Sequence, residues 1–174
     1  ERDCVRDRYR EVRITLREIV MPGRALVLEL RLFDEGLAFR YIVPRQEGME
    51  RVEIVAEATD IQFVEGTNAW SEYRIEGEYE KVPIREIREK CMWPFTFECP
   101  NGLFGCLTEA GRYDYPTAVL SPRWFQKDNF ALRTDLMGTA HGTTPFSTGW
   151  RLLIAGERPG DLLERSFLVD NLNP

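Results

Sequence analysis

The 174-residue chain is 43% hydrophobic and 30% charged, a balance that suits one globular domain with a single sizeable core. Its formal net charge is −6, with 29 acidic and 23 basic residues intermixed, so it is poorly suited to holding nucleic acid by neutralising phosphates. No apolar run approaches the roughly 20 residues that span a bilayer, and no signal-peptide pattern is present.

Alternation with a period of two dominates the chain. Val12, Ile14 and Leu16 alternate with Arg13, Thr15 and Arg17, which predicts a half-buried strand. "MPGR" then breaks the run with a Pro-Gly turn. Leu26, Leu28, Leu30 and Leu32 face one way, Asp34-Glu35-Gly36 turns the chain, and Leu37, Phe39, Tyr41 and Val43 return until Pro44 stops the strand. This hairpin reads as core-forming, with Arg40 on the opposite face, exposed or paired. Val52 and Ile54, then Ile61 and Phe63, continue the pattern around short polar loops. "PIREIREK", opened by Pro83, predicts a short helix. Phe95 and Phe97 lead into Pro100-Asn101-Gly102, where Asn-Gly signals a hairpin, and "LFGCLTEA" is the return strand. "WRLLIAG" predicts another strand and "RPGDLLERS" a second short helix. Many short strands separated by turns predict an all-β fold, an antiparallel β-sandwich.

The chemistry-bearing residues are sparse. Cys4, Cys91, Cys99 and Cys106 are spaced too widely and irregularly for the paired CxxC of a structural zinc site. Cys99 and Cys106 flank "PNGLFG": they either face each other as a disulfide, in an oxidising compartment, or pack as buried thiols. His141, the sole histidine, lies in the loop-like "GTAHGTTPF" and reads as solvated. With no Gly-x-Ser-x-Gly elbow, no Gly-rich phosphate loop and no second histidine, nothing supports nucleophilic or phosphate chemistry. Carboxylates are plentiful, but spacing singles out no acid/base pair. The charged opening "ERDCVRDRYREV" and the polar ending "LVDNLNP" read as the edges of a piece of something longer.

Five stretches, in order and spread over nearly the whole chain, carry a family resemblance: "VRDRYREVRITL", "RLFDEGLAFRYIVP", "AWSEYRIEGEYEKVPIREI", "PNGLFGCLTEAGRYDYP" and "TGWRLLIAGERPGDLLERSFLVDNLNP". Together they resemble the N-terminal domain of glycoside hydrolase family 97. The resemblance implies a super-sandwich of the galactose-mutarotase kind, followed by a (β/α)8 barrel and a smaller C-terminal sandwich. Residues 1–174 would be one domain, the C-terminal portion of that N-terminal sandwich, with its leading part and the barrel outside this stretch. It also implies a parent enzyme acting on α-linked oligosaccharides, either an inverting α-glucosidase or a retaining α-galactosidase. The catalytic carboxylates then belong to the barrel, so this chain is not catalytic alone and its principal partner is its own barrel. Members are typically exported to the periplasm, which would permit a Cys99–Cys106 bridge.

In this family a calcium ion at the active site takes one glutamate from the N-terminal domain. Matching Tyr79 and the "REI" at 85–87 to the family pattern places that ligand at Glu76, with Glu78 and Glu80 as alternatives one slipped register away. Calcium takes about 6–8 oxygen ligands, so one carboxylate cannot build the site. Thr108 stands where the family often has histidine, and Gly149 where it often has proline. Glu109 and Asp114 either line the domain interface or hydrogen-bond strand ends and loop backbone. Trp70, Tyr73 and Trp150 either stack on sugar rings or pack internally. Sugar stacking would suit the alternative of a free-standing carbohydrate-binding module; a purely structural sandwich is a third reading.

Overall fold

The computed structural model describes residues 6–123 and 130–173. The first strands are β1 (Tyr9–Arg17), β2 (Ala25–Phe33), β3 (Gly36–Val43), β4 (Arg51–Ile54), β5 (Asp60–Gln62), β6 (Asn68–Ser71) and β7 (Glu80–Pro83). There follow β8 (Phe95–Glu98), β9 (Phe104–Ala110), β10 (Ala118–Pro122), β11 (Ala131–Leu136), β12 (Ala140–Thr143), β13 (Phe146–Ser147) and β14 (Trp150–Gly156). Two short helices close the chain, α1 (Pro159–Glu164) and α2 (Phe167–Leu172).

A nine-stranded sheet runs β1-β2-β3-β14-β9-β8-β6-β7, with β13 also paired to β3. A three-stranded sheet, β10-β11-β5, and a two-stranded ribbon, β12-β4, complete the described strands. Every pairing is antiparallel, as the alternating pattern and short turns predict.

Strand β14 sits in the middle of the main sheet and feeds both of its faces. Trp150, Leu152 and Ile154 point to one side, under Leu162, Leu168 and Leu172 of the helices. Leu153 points to the other, where Phe63, Phe95, Phe97, Leu107, Leu120 and Leu132 form the sandwich core. Gly105 lets the ring of Phe97 lie against the β9 backbone, in space a Cβ would occupy.

Several expectations change in three dimensions. "PIREIREK" yields one 3-10 turn, Ile84–Glu86, because only Ile84 and Ile87 find core to bury against and one turn cannot repay helix nucleation. "RPGDLLERS" does form α1, and the chain continues into α2. Strand β1 pairs with β2 along its whole length, yet Val12, Ile14 and Leu16 are 55%, 44% and 49% exposed. Arg40 lies on the opposite face from Phe39, paired with Glu29.

The cysteine register excludes the Cys99–Cys106 bridge. Thr96 pairs with Cys106 and Glu98 with Phe104, so Cys106 points toward the helices while Cys99 packs on the sandwich core. Both are free thiols, as is Cys91; burial raises the pKa of Cys106 and takes that of Cys91 up to about 11. Cys4 and the first residue of the "VRDRYREVRITL" stretch lie outside the described residues. Among the described residues, no helix is long and apolar enough to cross a membrane.

Candidate functional site

The β6–β7 hairpin carries Glu76 on a long connection. Its ends are fixed by the pairing of Ser71 with Glu80. Glu72 anchors the base: its carbonyl accepts from the Met92 amide at 2.8 Å, and its carboxylate accepts from the Gly77 amide at 2.8 Å. Gly77 also donates to the carbonyl of Arg74 at 3.0 Å, closing a tight turn. This turn holds Glu76 at φ 59°, the left-handed region that a β-carbon disfavours. Glu76 is exposed, and among the described residues no side chain or amide bonds its carboxylate. Glu78 is exposed within the same connection, and exposed Glu80 already belongs to β7. Tyr79 keeps its proton to higher pH than usual, through burial and then the charge of Glu72.

The topology fixes where this loop emerges. β6 and β9 both pair antiparallel to β8, so they run the same way, and Ser71 and Ala110 end at the same edge of the sheet. Gly111, just beyond β9, donates its amide to Oδ1 of Asn173 at 2.7 Å. The described end of the chain, the Glu76 loop and the β9–β10 connection with exposed Tyr113 thus share one end of the sandwich. Asp114 in that connection is the other non-glycine residue with positive φ among the described residues, at 52°.

A second acidic cluster lies inside. Arg151 is 2% exposed and clamps Glu57 through two bonds, Nε at 2.9 Å and Nη2 at 2.7 Å. Its Nη1 donates to Glu109, whose carboxylate also accepts from Thr117 Oγ1 at 2.6 Å and the Ala118 amide at 3.1 Å. Tyr115 donates to Glu57 at 3.0 Å; burial first, then the charge of Glu57, pushes its pKa well up. Burial works against the charge of Arg151, but Glu57 and Glu109 outweigh it and its pKa rises. Both carboxylates are committed to structural partners. Glu109 therefore holds the strand end and the following loop.

The remaining sequence candidates separate cleanly. His141 is exposed, as expected, but sits on strand β12 opposite Glu53 of β4 and not in a loop. Trp150 is 2% exposed, with the guanidinium groups of Arg31 and Arg40 lying 4.8 and 4.3 Å from its ring centroid. The Lys81 ammonium lies 4.7 Å from the ring centroid of Trp70, and Tyr73 packs against the sandwich core. Internal packing accounts for Trp150, whereas Trp70 and Tyr73 are half-buried. Glu57 has no sequence signal: it is one acid in "AEATD", and its arginine is 94 positions away.

For calcium, Glu76 offers a hard, uncommitted oxygen donor, the kind of ligand that ion takes. Among the described residues no group of three or more His, Cys, Asp and Glu side chains could hold a metal. Glu76 thus fits as one donor to a site completed by other chains or domains, and does not fit as the centre of one.

Comparison with known proteins adds the context. The sequence profile described as "Glycosyl-hydrolase 97 N-terminal" matches residues 1–174. A glycoside hydrolase family 97 enzyme from Pseudoalteromonas sp. strain K8, solved with acarbose, is similar at 29% identity and a TM-score of 0.84. A variant of that enzyme, solved with panose, gives the same values. In each case the match covers 97% of this chain but 26% of the solved one, so the chain spans about a quarter of their length. A beta-arabinopyranosidase, 23% identical with a TM-score of 0.68, matches 88% of this chain and 28% of its own, and bears on fold alone.

Proposed function

Because the chain belongs to the glycosyl-hydrolase 97 N-terminal family, we propose that it is the non-catalytic N-terminal part of a calcium-dependent α-glycoside hydrolase. In that enzyme it packs against a (β/α)8 catalytic barrel and contributes Glu76 as one calcium ligand. The observation that carries this reading is the state of Glu76. It is exposed and left-handed, on the same end of the sandwich as the end of the described chain. A residue held at unfavourable φ with no bonded partner is a cost the fold sustains for something outside itself. The complexes of the similar enzyme with acarbose and panose support α-linked oligosaccharides as the substrate class.

The residues around the Glu76 turn and the buried cluster then have tasks short of catalysis. Glu72 and Gly77 set the turn and point Glu76 outward. Arg151, Glu57 and Glu109 make the platform rigid where a second domain presses on it. When bound, calcium would polarise and position substrate oxygens. Export to the periplasm accords with this role.

The test uses the full-length enzyme with Glu76→Gln, measuring calcium content and turnover together. Calcium affinity is expected to fall by more than the roughly 10-fold that even an outer-shell partner can cost, and turnover with it. Wild-type calcium and turnover would rule out the ligand. The isolated chain is expected to show neither hydrolysis nor saturable glycan binding; saturable binding by calorimetry would favour a carbohydrate-binding module instead.

A further inference from the structure

The β9–β10 connection is anchored on both sides of a short exposed turn. On the near side Gly111, at φ 56°, donates to Asn173. The Cγ of Arg112 lies 2.8 Å from where a Cβ on Gly149 would stand, and its guanidinium pairs with Glu109 at 3.4 Å. On the far side Tyr115 is 5% exposed and bonds Glu57, while Glu109 closes the loop by accepting from Thr117 and the Ala118 amide. Between these anchors stand Tyr113, 59% exposed, and Asp114, exposed and held at φ 52°. Among the described residues nothing bonds the Tyr113 hydroxyl or the Asp114 carboxylate, although Glu109 and Glu57 on either side are fully engaged.

Strands β6 and β9 flank β8, so the Glu76 and Tyr113 connections leave the sheet two strand spacings apart, about 10 Å. The exposed residues of these two connections are mostly charged, namely Arg74, Glu76, Glu78, Arg112 and Asp114, with Ile75 the one exposed aliphatic. Charge is depleted at the core of protein interfaces, so an apolar domain contact suits this surface poorly. A sugar ring suits it well. Its C–H face packs on an aromatic ring, and its neighbouring hydroxyls donate to a carboxylate placed beside that ring. Tyr113 and Asp114 are consecutive, rigidly presented and free to supply both contacts.

We propose that Tyr113 and Asp114 form a sugar subsite of the full-length enzyme, with the Tyr113 ring packed on a pyranose ring and Asp114 accepting from that ring's hydroxyls. The two-strand offset from Glu76 places this ring farther along the oligosaccharide than the one beside the metal. Acarbose and panose, the ligands solved in the similar enzyme, have more than two rings and are long enough to reach such a position. One aromatic face and one carboxylate are half a subsite, so the isolated chain does not hold sugar by itself. The inference rests on the reading of the parent enzyme as an α-glycoside hydrolase.

The test is steady-state kinetics of the full-length enzyme carrying Tyr113→Ala, Tyr113→Phe or Asp114→Asn. The substrates are an α-linked trisaccharide and the α-glycosyl fluoride of the same sugar, which has no second ring. Tyr113→Ala and Asp114→Asn are each expected to raise KM for the trisaccharide about 10-fold. Nearly unchanged kcat is expected alongside, the pattern of lost substrate binding. KM for the fluoride and the calcium content are expected to stay at the wild-type level. Tyr113→Phe keeps the stacking face and is expected to match wild type on both substrates. A trisaccharide KM unchanged in either Tyr113→Ala or Asp114→Asn overturns the pair. An equal rise for trisaccharide and fluoride also overturns it, because the fold or the metal site then carries the effect. Lower thermal stability with an unchanged trisaccharide KM assigns the pair to a domain contact instead. If the wild-type enzyme hydrolyses neither substrate, the reading of the parent enzyme fails and the subsite with it. If Glu76→Gln keeps its calcium while Tyr113→Ala separates the two substrates, the metal assignment falls and the subsite stands.

Discussion

Two acidic regions at the same end of the sandwich have opposite fates. Glu57 is buried and Glu109 half-buried against Arg151, with each carboxylate bonded to more than one donor. Glu76 is exposed, in the left-handed region, and bonds nothing among the described residues. A carboxylate already bonded to arginine and backbone amides has little left to offer a ligand, whereas a solvated one can exchange water for metal. Burial therefore marks the structural acids here, and exposure on a constrained turn marks the functional candidate.

The comparison breaks most forcefully at Arg151. Arg151→Met leaves buried Glu57 without its cation and Glu109 with Arg112 at 3.4 Å, and is expected to cost about 3–5 kcal/mol, as removing one partner of a buried pair does. Denaturant unfolding reads this directly; a loss under 1 kcal/mol would mean that the cluster is solvated and not structural.

Glu29 extends the structural side of the comparison to pH. Burial pushes its pKa up, but the guanidinium groups of Arg40 and Arg13 outweigh that and hold it below the ordinary range. A carboxylate lowered in the folded state contributes stability above its unfolded value of about 4.3, and that contribution is lost as pH falls through its folded value. Glu29→Gln is expected to cost about 1.5–3 kcal/mol at pH 7, the worth of hydrogen bonds to charged groups. It should also flatten the acid limb of the stability profile below about pH 4.3. An unchanged acid limb would remove Glu29 from the account.

The smallest effect sharpens the functional side. Glu76→Asn keeps a polar side chain but tolerates positive φ better, so it is expected to leave the fold unharmed or more stable by roughly 0.5–1 kcal/mol. Calcium binding by the full-length enzyme should still fall, because a charged oxygen donor is gone and the side chain is shorter. Thermal melts and calcium titrations of the same variant supply both readings. A variant that lost stability and kept calcium would reverse the two roles.

Legibility followed the range of the interaction. The Asn101-Gly102 turn and the alternation of Leu26 to Val43 were readable because a turn and a strand are decided by neighbours. Glu76 is singled out only by resemblance to a family pattern, since spacing alone does not separate it from Glu72, Glu78 and Glu80. Strand β1 shows the limit most clearly: its alternation gives the correct strand, yet its apolar face remains exposed.

By itself the sequence determined that the chain is a succession of short antiparallel strands, because a period of two and the Gly and Pro turn residues act within a few positions of one another. Only the tertiary structure decided which acids are bound and which are free. It set Glu57 against an arginine 94 residues away, turned Cys106 from Cys99 by one strand register, and brought the Glu76 loop to the edge where Asn173 docks. Those outcomes depend on which strands become neighbours, and that is settled when distant segments bury their apolar faces together.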